Sequence, residues 1–234
     1  MPNIFDNINQ PLLPHLRQTL DLSYRADFSV GYFNLRGWRQ LDARINEWTG
    51  GAGAQCRLIV GMQRPPKDEL RAAFSFRDDV DTMDNKTALQ LKKKLAAEFR
   101  RQLTFGGPTN EDEAGLRRLA HQLRDGKVVV KLYLRHPLHA KLYLLFSESF
   151  NTPIVGYLGS SNLTFSGIAG QGELNIDVLD QDAANKLAVW FQERWDDKFC
   201  IDISEELIEI INESWAGEKL TPPYHIYLKM AYHL

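Results

Sequence analysis

The sequence predicts an α/β protein in which a mixed, mostly β sheet lies between layers of helices and is followed by a C-terminal helical extension. Three observations predict this fold. Short apolar segments with strand-like composition alternate with longer amphipathic segments. The first two predicted strands have a helix between them. A chain of 234 residues is also long enough to form one substantial core. We therefore expect a main domain at residues 1–200 and an extension at 201–234, interpreted as the start of a linker to a further domain.

The amino-terminal third indicates a parallel β-α-β unit. Residues 26–33 alternate in polarity and predict a strand, and residues 56–61 predict a second one. Between them Leu41, Ile45 and Trp48 form one helical stripe that a glycine-rich turn ends. A strand, a helix and a strand in this order are typical of a parallel pair.

The remaining elements follow from the same two periodicities. Apolar residues recur every four positions at Leu91, Leu95, Phe99 and Leu103, which predicts a long helix after the two prolines at 65–66 and before a break at 105–108. A further helix carries Leu116, Leu119 and Leu123. The later segments are predicted as strands at 128–134, 140–146, 154–158 and 174–179, a covering helix at 182–195, an amphipathic helix at 203–215, and an apolar stretch after the prolines at 222–223.

Composition bounds the class of protein. Hydrophobic residues make up 44% and charged residues 25%, no apolar run is long enough to span a bilayer, and the start lacks a signal pattern, so we expect a cytoplasmic protein without a membrane role. Cys56 and Cys200 are too few for a disulfide framework and have no metal-ligand spacing.

The formal net charge of −2 does not by itself indicate a nucleic-acid-binding protein, but basic residues concentrate in the middle of the chain. Two interpretations stay open for this cluster: a local face that binds phosphates, or the solvated side of an amphipathic helix. The cluster consists of residues 92–94, 100–101 and 117–118.

Chemistry is carried by three short segments. His139 and Lys141 are two residues apart, so on a strand their side chains would leave the same face. One of them can attack phosphorus while the other neutralises its oxygens. The turn at 159–164, Gly-Ser-Ser-Asn-Leu-Thr, can add hydroxyl, amide and backbone donors, and Glu173 follows it. The three segments together offer a nucleophile and several donors to one bound anion.

These segments resemble the phospholipase D superfamily, whose signature is His-x-Lys followed by Gly-Ser-x-Asn. The resemblance implies that His139 is the nucleophile and forms a phosphohistidine. It also implies that Lys141 and Asn162 hold the non-bridging oxygens, that Ser160 adds a hydroxyl, and that Glu173 orients His139 by a hydrogen bond. No metal or other cofactor is implied.

In this superfamily two His-x-Lys motifs meet in one active site, whereas this chain has one copy. The resemblance therefore implies a homodimer in which each chain contributes His139 to a single shared site. The sequence departs from the family in one respect, because the acid expected at position 146 is Phe146.

A short chain with one motif resembles the nuclease-like branch of the superfamily, and in particular the phospholipase D-like domain ahead of some bacterial helicases. We expect DNA or RNA as substrate. Residues expected to contact it are Arg36 at a phosphate, Trp38 stacking on a base, Ser161 and Thr164. Three alternatives stay open: Trp38 packs in its helix, Ser161 and Asn162 are merely turn residues, and Glu173 is an ordinary exposed carboxylate.

Two functions from different classes remain. The first is a metal-independent nuclease that acts at a dimer interface, and the second is a catalytically weak nucleic-acid-binding or assembly module of a larger helicase-type protein. Phe146 and the near-neutral net charge favour the second, and the intact His139, Lys141 and Asn162 set favours the first. A lipid hydrolase ranks third, because no membrane-docking stretch stands out.

Overall fold

The computed structural model describes residues 2–61, 85–104 and 109–217, and these residues build an eight-stranded sheet. The strand order is β1-β7-β6-β5-β2-β3-β4-β8. The strands are β1 Ile4–Phe5, β2 Ser23–Val30, β3 Cys56–Val60, β4 Val128–Tyr133, β5 Lys141–Ser147, β6 Ile154–Gly159, β7 Asn175–Val178 and β8 Cys200–Asp202.

Helices connect and cover these strands. They are α1 Leu12–Asp21, α2 Leu35–Trp38, α3 Asp42–Ile45, α4 Asn85–Leu103, α5 Asn110–Arg124, α6 Gln181–Trp195 and α7 Ser204–Glu213, with a π-helical turn at Ser166–Gly170. No helix in the described part of the chain is both long enough and apolar enough to cross a membrane.

The sheet is mixed, as predicted. Strands β2, β3 and β4 are parallel, and Phe28 stands opposite Leu58, which in turn stands opposite Val130. The other pairs are antiparallel, including β5 on β2 and β6 on β5. The predicted parallel unit at the start of the chain is therefore confirmed, although two short helices, α2 and α3, replace the single helix that was expected.

Helices lie on both faces of the sheet, which confirms the predicted layering. The larger core packs α1 to α5 and α7 against one face, and its centre contains Phe28, Leu58, Val130 and Tyr143. The second core packs α6 against the other face, through Phe191 and Trp195. The four residues that predicted the long helix, Leu91, Leu95, Phe99 and Leu103, are all buried in the larger core.

The second core contains a buried ion pair. Asp27 accepts hydrogen bonds from Arg57 Nε at 2.6 Å and from Arg57 Nη2 at 2.7 Å, and Arg25 donates a third at 2.7 Å. The guanidinium of Arg57 also lies over the rings of Phe191 and Trp195. Strands β2 and β3 are therefore held together by this ion pair as well as by their backbone hydrogen bonds, and the pair lies beneath the helix that covers them.

Several features differ from prediction or lie outside the described residues. Strands β1 and β8 and helix α1 were not predicted, and they complete both edges of the sheet and one side of the larger core. In the predicted extension, Ile203, Leu207 and Ile211 pack into that same core. The prolines at 65–66, the break at 105–108 and the apolar stretch after 222–223 lie outside the described residues.

Candidate active site

The strand register brings the three sequence segments together. Lys141, the first residue of β5, stands opposite Gly159 at the end of β6, and Gly159 stands opposite Asn175 at the start of β7. The carboxyl ends of β2 and β3 reach the same edge, because Leu138 donates its N–H to Gly61 and Gly61 donates to Val30, each at 2.9 Å. His139 directly follows Leu138, the donor of the first of these bonds. The His-x-Lys segment, His139-Ala140-Lys141, therefore begins at this edge of the sheet.

His139 is exposed and lies just before β5 rather than within it. The expectation that His139 and Lys141 share a strand is therefore wrong, because the strand begins at Lys141, two residues after His139. Lys141 Nζ donates a hydrogen bond of 2.7 Å to the backbone carbonyl oxygen of His139. The ammonium group is thus held beside the residue that it is expected to assist.

Asn162 is fixed in one orientation. Its Oδ1 accepts the backbone N–H groups of Gly31 at 3.0 Å and Tyr32 at 2.9 Å, just past the end of β2. Because two N–H donors face the side chain at this position, the atom there must be the carbonyl oxygen and not the amide nitrogen. The Nδ2 group is therefore on the other side of the amide and can donate to another acceptor. Asn162 therefore ties the motif turn to β2 and still presents two N–H bonds.

Ser161 is held by two residues that the sequence analysis missed. Its N–H donates to Asn175 Oδ1 at 3.3 Å, its hydroxyl accepts from Asn175 Nδ2 at 2.8 Å, and its carbonyl accepts from the Tyr143 hydroxyl at 2.8 Å. Ser161 is fully buried. The expectation that Ser161 contacts substrate is therefore wrong, and its contacts make it a turn residue that positions Asn162.

A sequence signal for one of these two residues existed. Tyr143 follows Lys141 by two positions and so shares its side of β5. Burial, and then the nearby charge of Glu173, raise the pKa of the Tyr143 hydroxyl, so it stays a neutral donor to Ser161. Asn175 carried no comparable signal, because one polar residue in a strand does not reveal its partner.

Ser160 and Thr164 lie on either side of this anchored turn. The exposed Ser160 hydroxyl accepts the N–H of Leu174 at 2.9 Å. Thr164 Oγ1 accepts the N–H of Gly167 at 3.0 Å, near the start of the π-helical turn. Gly159 must be glycine here, because a Cβ would lie 2.2 Å from the carbonyl oxygen of Leu174.

Glu173 is partly exposed and close enough to Tyr143 to affect its pKa. Within the residues that the structure describes, no hydrogen bond joins Glu173 to His139, so the expected orienting contact is absent from the single chain. The side chain nevertheless lies at the same edge of the sheet, and its role stays a prediction.

The substrate contacts predicted for the region after β2 have different outcomes. Trp38 is 0% exposed, and its Nε1 donates to Gln122 Oε1 at 3.1 Å, so the expectation that it stacks on a base is wrong and its alternative, packing, is right. Arg36 is exposed on α2 and remains a candidate for a phosphate contact. Phe146, at the position of the missing acid, is buried under the guanidinium of Arg25.

The basic cluster in the middle of the chain is largely paired. Lys93 contacts Glu209 at 3.0 Å and Lys92 approaches Glu206 at 3.8 Å, both across to α7. Arg118 contacts the buried Asp42 at 3.0 Å, and Arg117 pairs with Glu113. These contacts favour the second interpretation, the solvated side of amphipathic helices, because the side chains stay partly exposed and their charges are already paired with acidic residues.

Nothing in the described ranges suggests a metal centre, since no group of three or more His, Cys, Asp or Glu side chains there is placed to hold an ion. The site instead offers a histidine, a lysine, an oriented amide and a hydroxyl at one sheet edge. This combination suits attack on a phosphodiester and stabilisation of its oxygens.

The fold and this site define a protein of the phospholipase D class. The family model described as "Cardiolipin synthase, PLD-like domain" matches residues 16–195, well over half of the chain, so the chain belongs to this phospholipase D-like family. Membership supports phosphodiesterase-type chemistry in general. No curated protein sequence matches the chain.

The chain is also similar to several solved structures. Nuc from Salmonella typhimurium, a phospholipase D family member, is 10% identical, with 86% of this chain and 97% of Nuc covered and a TM-score of 0.48. NucT from Helicobacter pylori is 10% identical, with 86% and 98% covered and a TM-score of 0.45. Phosphatidylserine synthase from Haemophilus influenzae is 16% identical, with 99% and 45% covered and a TM-score of 0.49.

Proposed function

We propose that this protein is a metal-independent nuclease that cleaves DNA through a phosphohistidine on His139, at a site shared by two copies of the chain. The observation that carries the proposal is the register of β5 and β6. It sets Lys141 opposite Gly159 and so brings the His-x-Lys segment against the turn that presents Asn162.

The chemistry assigned to the site balances in two steps. An imidazole nitrogen of His139 attacks phosphorus and forms a P–N bond, while the P–O bond to the leaving oxygen breaks and that oxygen takes a proton from the partner subunit's His139. That histidine, now neutral, then takes a proton from water, whose oxygen attacks phosphorus. The P–N bond breaks, and its electron pair returns to His139.

Lys141 and Asn162 stabilise the charge that grows on the non-bridging oxygens in both steps. The Nδ2 group of Asn162 is oriented before substrate arrives, because the backbone of Gly31 and Tyr32 holds its carbonyl oxygen. Ser160 offers an exposed hydroxyl next to the same turn.

The homodimer follows from the number of proton donors. The mechanism needs a second histidine, and the sequence has one His-x-Lys motif. The exposure of His139 at the edge of the sheet is compatible with an approach by the same residue of another copy. A two-fold axis beside His139 would place both imidazoles at one phosphate.

The test is cleavage of single- and double-stranded DNA in excess EDTA, with wild type beside His139→Ala and with mass measured by light scattering on the same samples. We expect a dimer whose EDTA-resistant cleavage is lost in His139→Ala. His121→Ala is the matched control, because His121 is an exposed histidine on α5, away from the motif segments, and it should cleave like wild type.

Two outcomes would contradict the nuclease. Cleavage that survives His139→Ala would point to a contaminating enzyme or to another nucleophile. A confirmed dimer that leaves every substrate intact would favour the second candidate, a nucleic-acid-binding or assembly module. That candidate predicts salt-dependent DNA binding that His139→Ala does not weaken.

A further inference from the structure

A cavity opens next to the motif turn, and apart from Asn162 its lining residues take no part in the chemistry described above. Its volume is about 560 Å³, within the range of small-molecule sites. Two of its lining residues, Asn162 and Thr164, belong to the motif turn, and it extends from there over the loop that follows β2. The lining consists of Tyr32, Phe33, Asn34, Gln102, Asn162, Thr164 and Ser166.

Tyr32 supplies this cavity with an exposed aromatic ring on a fixed backbone. The residue is 51% exposed, and its N–H is bonded to Asn162 Oδ1. On its other side, Phe33 bridges to Leu163, and Asn34 donates its N–H to the carbonyl of Leu163 at 3.1 Å. The backbone is therefore tied to the motif turn before and after the ring, while the ring itself stays available for contact.

The floor and the polar groups of the cavity suit a flat, uncharged ring. Phe33 is buried, and its ring stacks on that of Phe99 with 5.7 Å between the centroids. Asn34 Oδ1 accepts the N–H of Gly37 at 2.9 Å, which leaves its Nδ2 group as a donor. The hydroxyls of Thr164 and Ser166 lie 3.3 Å apart. Among the described residues that line the cavity, none carries a formal charge.

We propose that this cavity binds an unpaired nucleobase next to the scissile phosphate, stacked on Tyr32, and that the protein consequently prefers single-stranded nucleic acid. The inference rests on the proposed nuclease function. An aromatic ring beside uncharged donors and acceptors is the arrangement by which proteins hold unstacked bases. A base inside a duplex is already stacked and paired, so entering this cavity would first require flipping it out.

The test compares two small substrates with the same leaving group, the p-nitrophenyl ester of a thymidine phosphate and methyl p-nitrophenyl phosphate. Only the first carries a nucleobase. We expect Tyr32→Ala to lower kcat/KM on the thymidine ester by about five-fold to a hundred-fold, the usual effect of removing one stacking partner. On the methyl ester, the same variant should match wild type.

Two further variants sharpen the comparison. Tyr32→Phe should behave like wild type, because stacking does not need the hydroxyl. Tyr24→Ala is the matched control, since Tyr24 is also a half-exposed tyrosine, 44% exposed, but lies at the opposite end of β2. Wild type should also cleave a single-stranded oligonucleotide faster than the matched duplex.

Three results would overturn the inference: an unchanged kcat/KM of Tyr32→Ala on the thymidine ester, an equal loss on both esters, or equal rates on single strand and duplex. The equal loss would mean that Tyr32 only positions Asn162. If wild type cleaves nothing, the proposed function fails, and the cavity is then tested by fluorescence anisotropy of a labelled single strand. Weaker binding to Tyr32→Ala than to wild type would support the base site, and equal binding would overturn it.

Discussion

At the scale of single residues, the orientation of Asn162 decides what the site can do. An asparagine side chain has one accepting end and one donating end, and here two backbone N–H groups occupy the accepting end. The donating end is therefore available to phosphate oxygens without any rearrangement. A donor that is oriented in advance contributes most where negative charge grows during the reaction.

Asn162→Asp tests this assignment without removing the anchor. The carboxylate can still accept the N–H groups of Gly31 and Tyr32, so the fold should hold, but its second oxygen replaces the donor with negative charge. We expect kcat for DNA cleavage to fall by about a hundred- to a thousand-fold. Thermal unfolding measured on the same sample should stay close to wild type.

Asn162→Ala serves as the comparison, because it removes the donor and both anchoring bonds together. It should lose activity and also unfold at a lower temperature than Asn162→Asp. Near-normal turnover by Asn162→Asp would argue that Asn162 serves the fold alone.

The sequence predicted some of these residues and mistook others, for a physical reason. His139, Lys141 and Asn162 were predicted because a short motif fixes their spacing, and the register brings their segments to one edge; their catalytic roles stay predictions. Trp38 and Ser161 were also expected to contact substrate, with packing and a turn role as their alternatives, and both are buried by tertiary packing. A residue type and a local pattern do not reveal which side of a loop or turn faces the core, and so Tyr32, not Trp38, is the exposed aromatic.

At the scale of elements, the segment between β4 and β5 holds His139 in place. Leu134 donates its N–H to the carbonyl of Phe199 at 2.9 Å, and Arg135 forms a two-bond pair with Asp197, at 2.5 and 2.9 Å. Asp197 follows α6, so this pair fastens the segment before the motif to the end of the covering helix. The hydrogen bonds from Arg135 hold the pKa of Asp197 below its ordinary value, and burial opposes that effect.

This lowered pKa predicts a pH dependence of stability. The folded protein binds the Asp197 proton less readily than the unfolded chain does, so the pair stabilises the fold above the ordinary carboxyl pKa of about 3.9. That contribution is lost as pH falls from there through the lower folded value. Asp197→Asn should therefore reduce the free energy of unfolding at neutral pH, and the difference from wild type should shrink towards about pH 3.

Urea unfolding of both proteins at the two pH values measures this difference. Asp182→Asn is the control, since Asp182 forms an exposed pair with Lys186 that should contribute little. A gap between wild type and Asp197→Asn that stays constant with pH would contradict the assignment.

Periodic elements were predictable, and edge elements were not. Helices α4 and α5 and the central strands carry repeated apolar positions, so their existence followed from the sequence. Strands β1 and β8 span only two and three residues, too short for any periodicity, and they exist because β7 and β4 offer them partners. Helix α1 is an exception, because it was not predicted although its sequence is periodic. Its buried residues Leu12, Leu16 and Leu20 recur every four positions.

At the scale of the whole molecule, the number of catalytic groups determines the assembly that the mechanism needs. One chain offers one His-x-Lys motif, and the proposed reaction uses a nucleophile and a separate proton donor. A second copy is the simplest source of that donor, because a two-fold axis supplies an identical group from the facing side. Activity should therefore depend on pairs of intact chains rather than on single chains.

Mixing wild type with His139→Ala tests this dependence directly. If subunits exchange, two intact chains meet in a fraction of dimers that equals the square of the wild-type fraction. At equal amounts, EDTA-resistant cleavage per total protein should fall to about a quarter of the wild-type value, whereas independent sites would leave about half. His121→Ala mixed in the same way should cause no loss, since both chains of every dimer then keep His139. A linear decline with added His139→Ala, in samples shown by mass to have exchanged subunits, would rule out the shared site and would move the search for the proton donor back into the single chain.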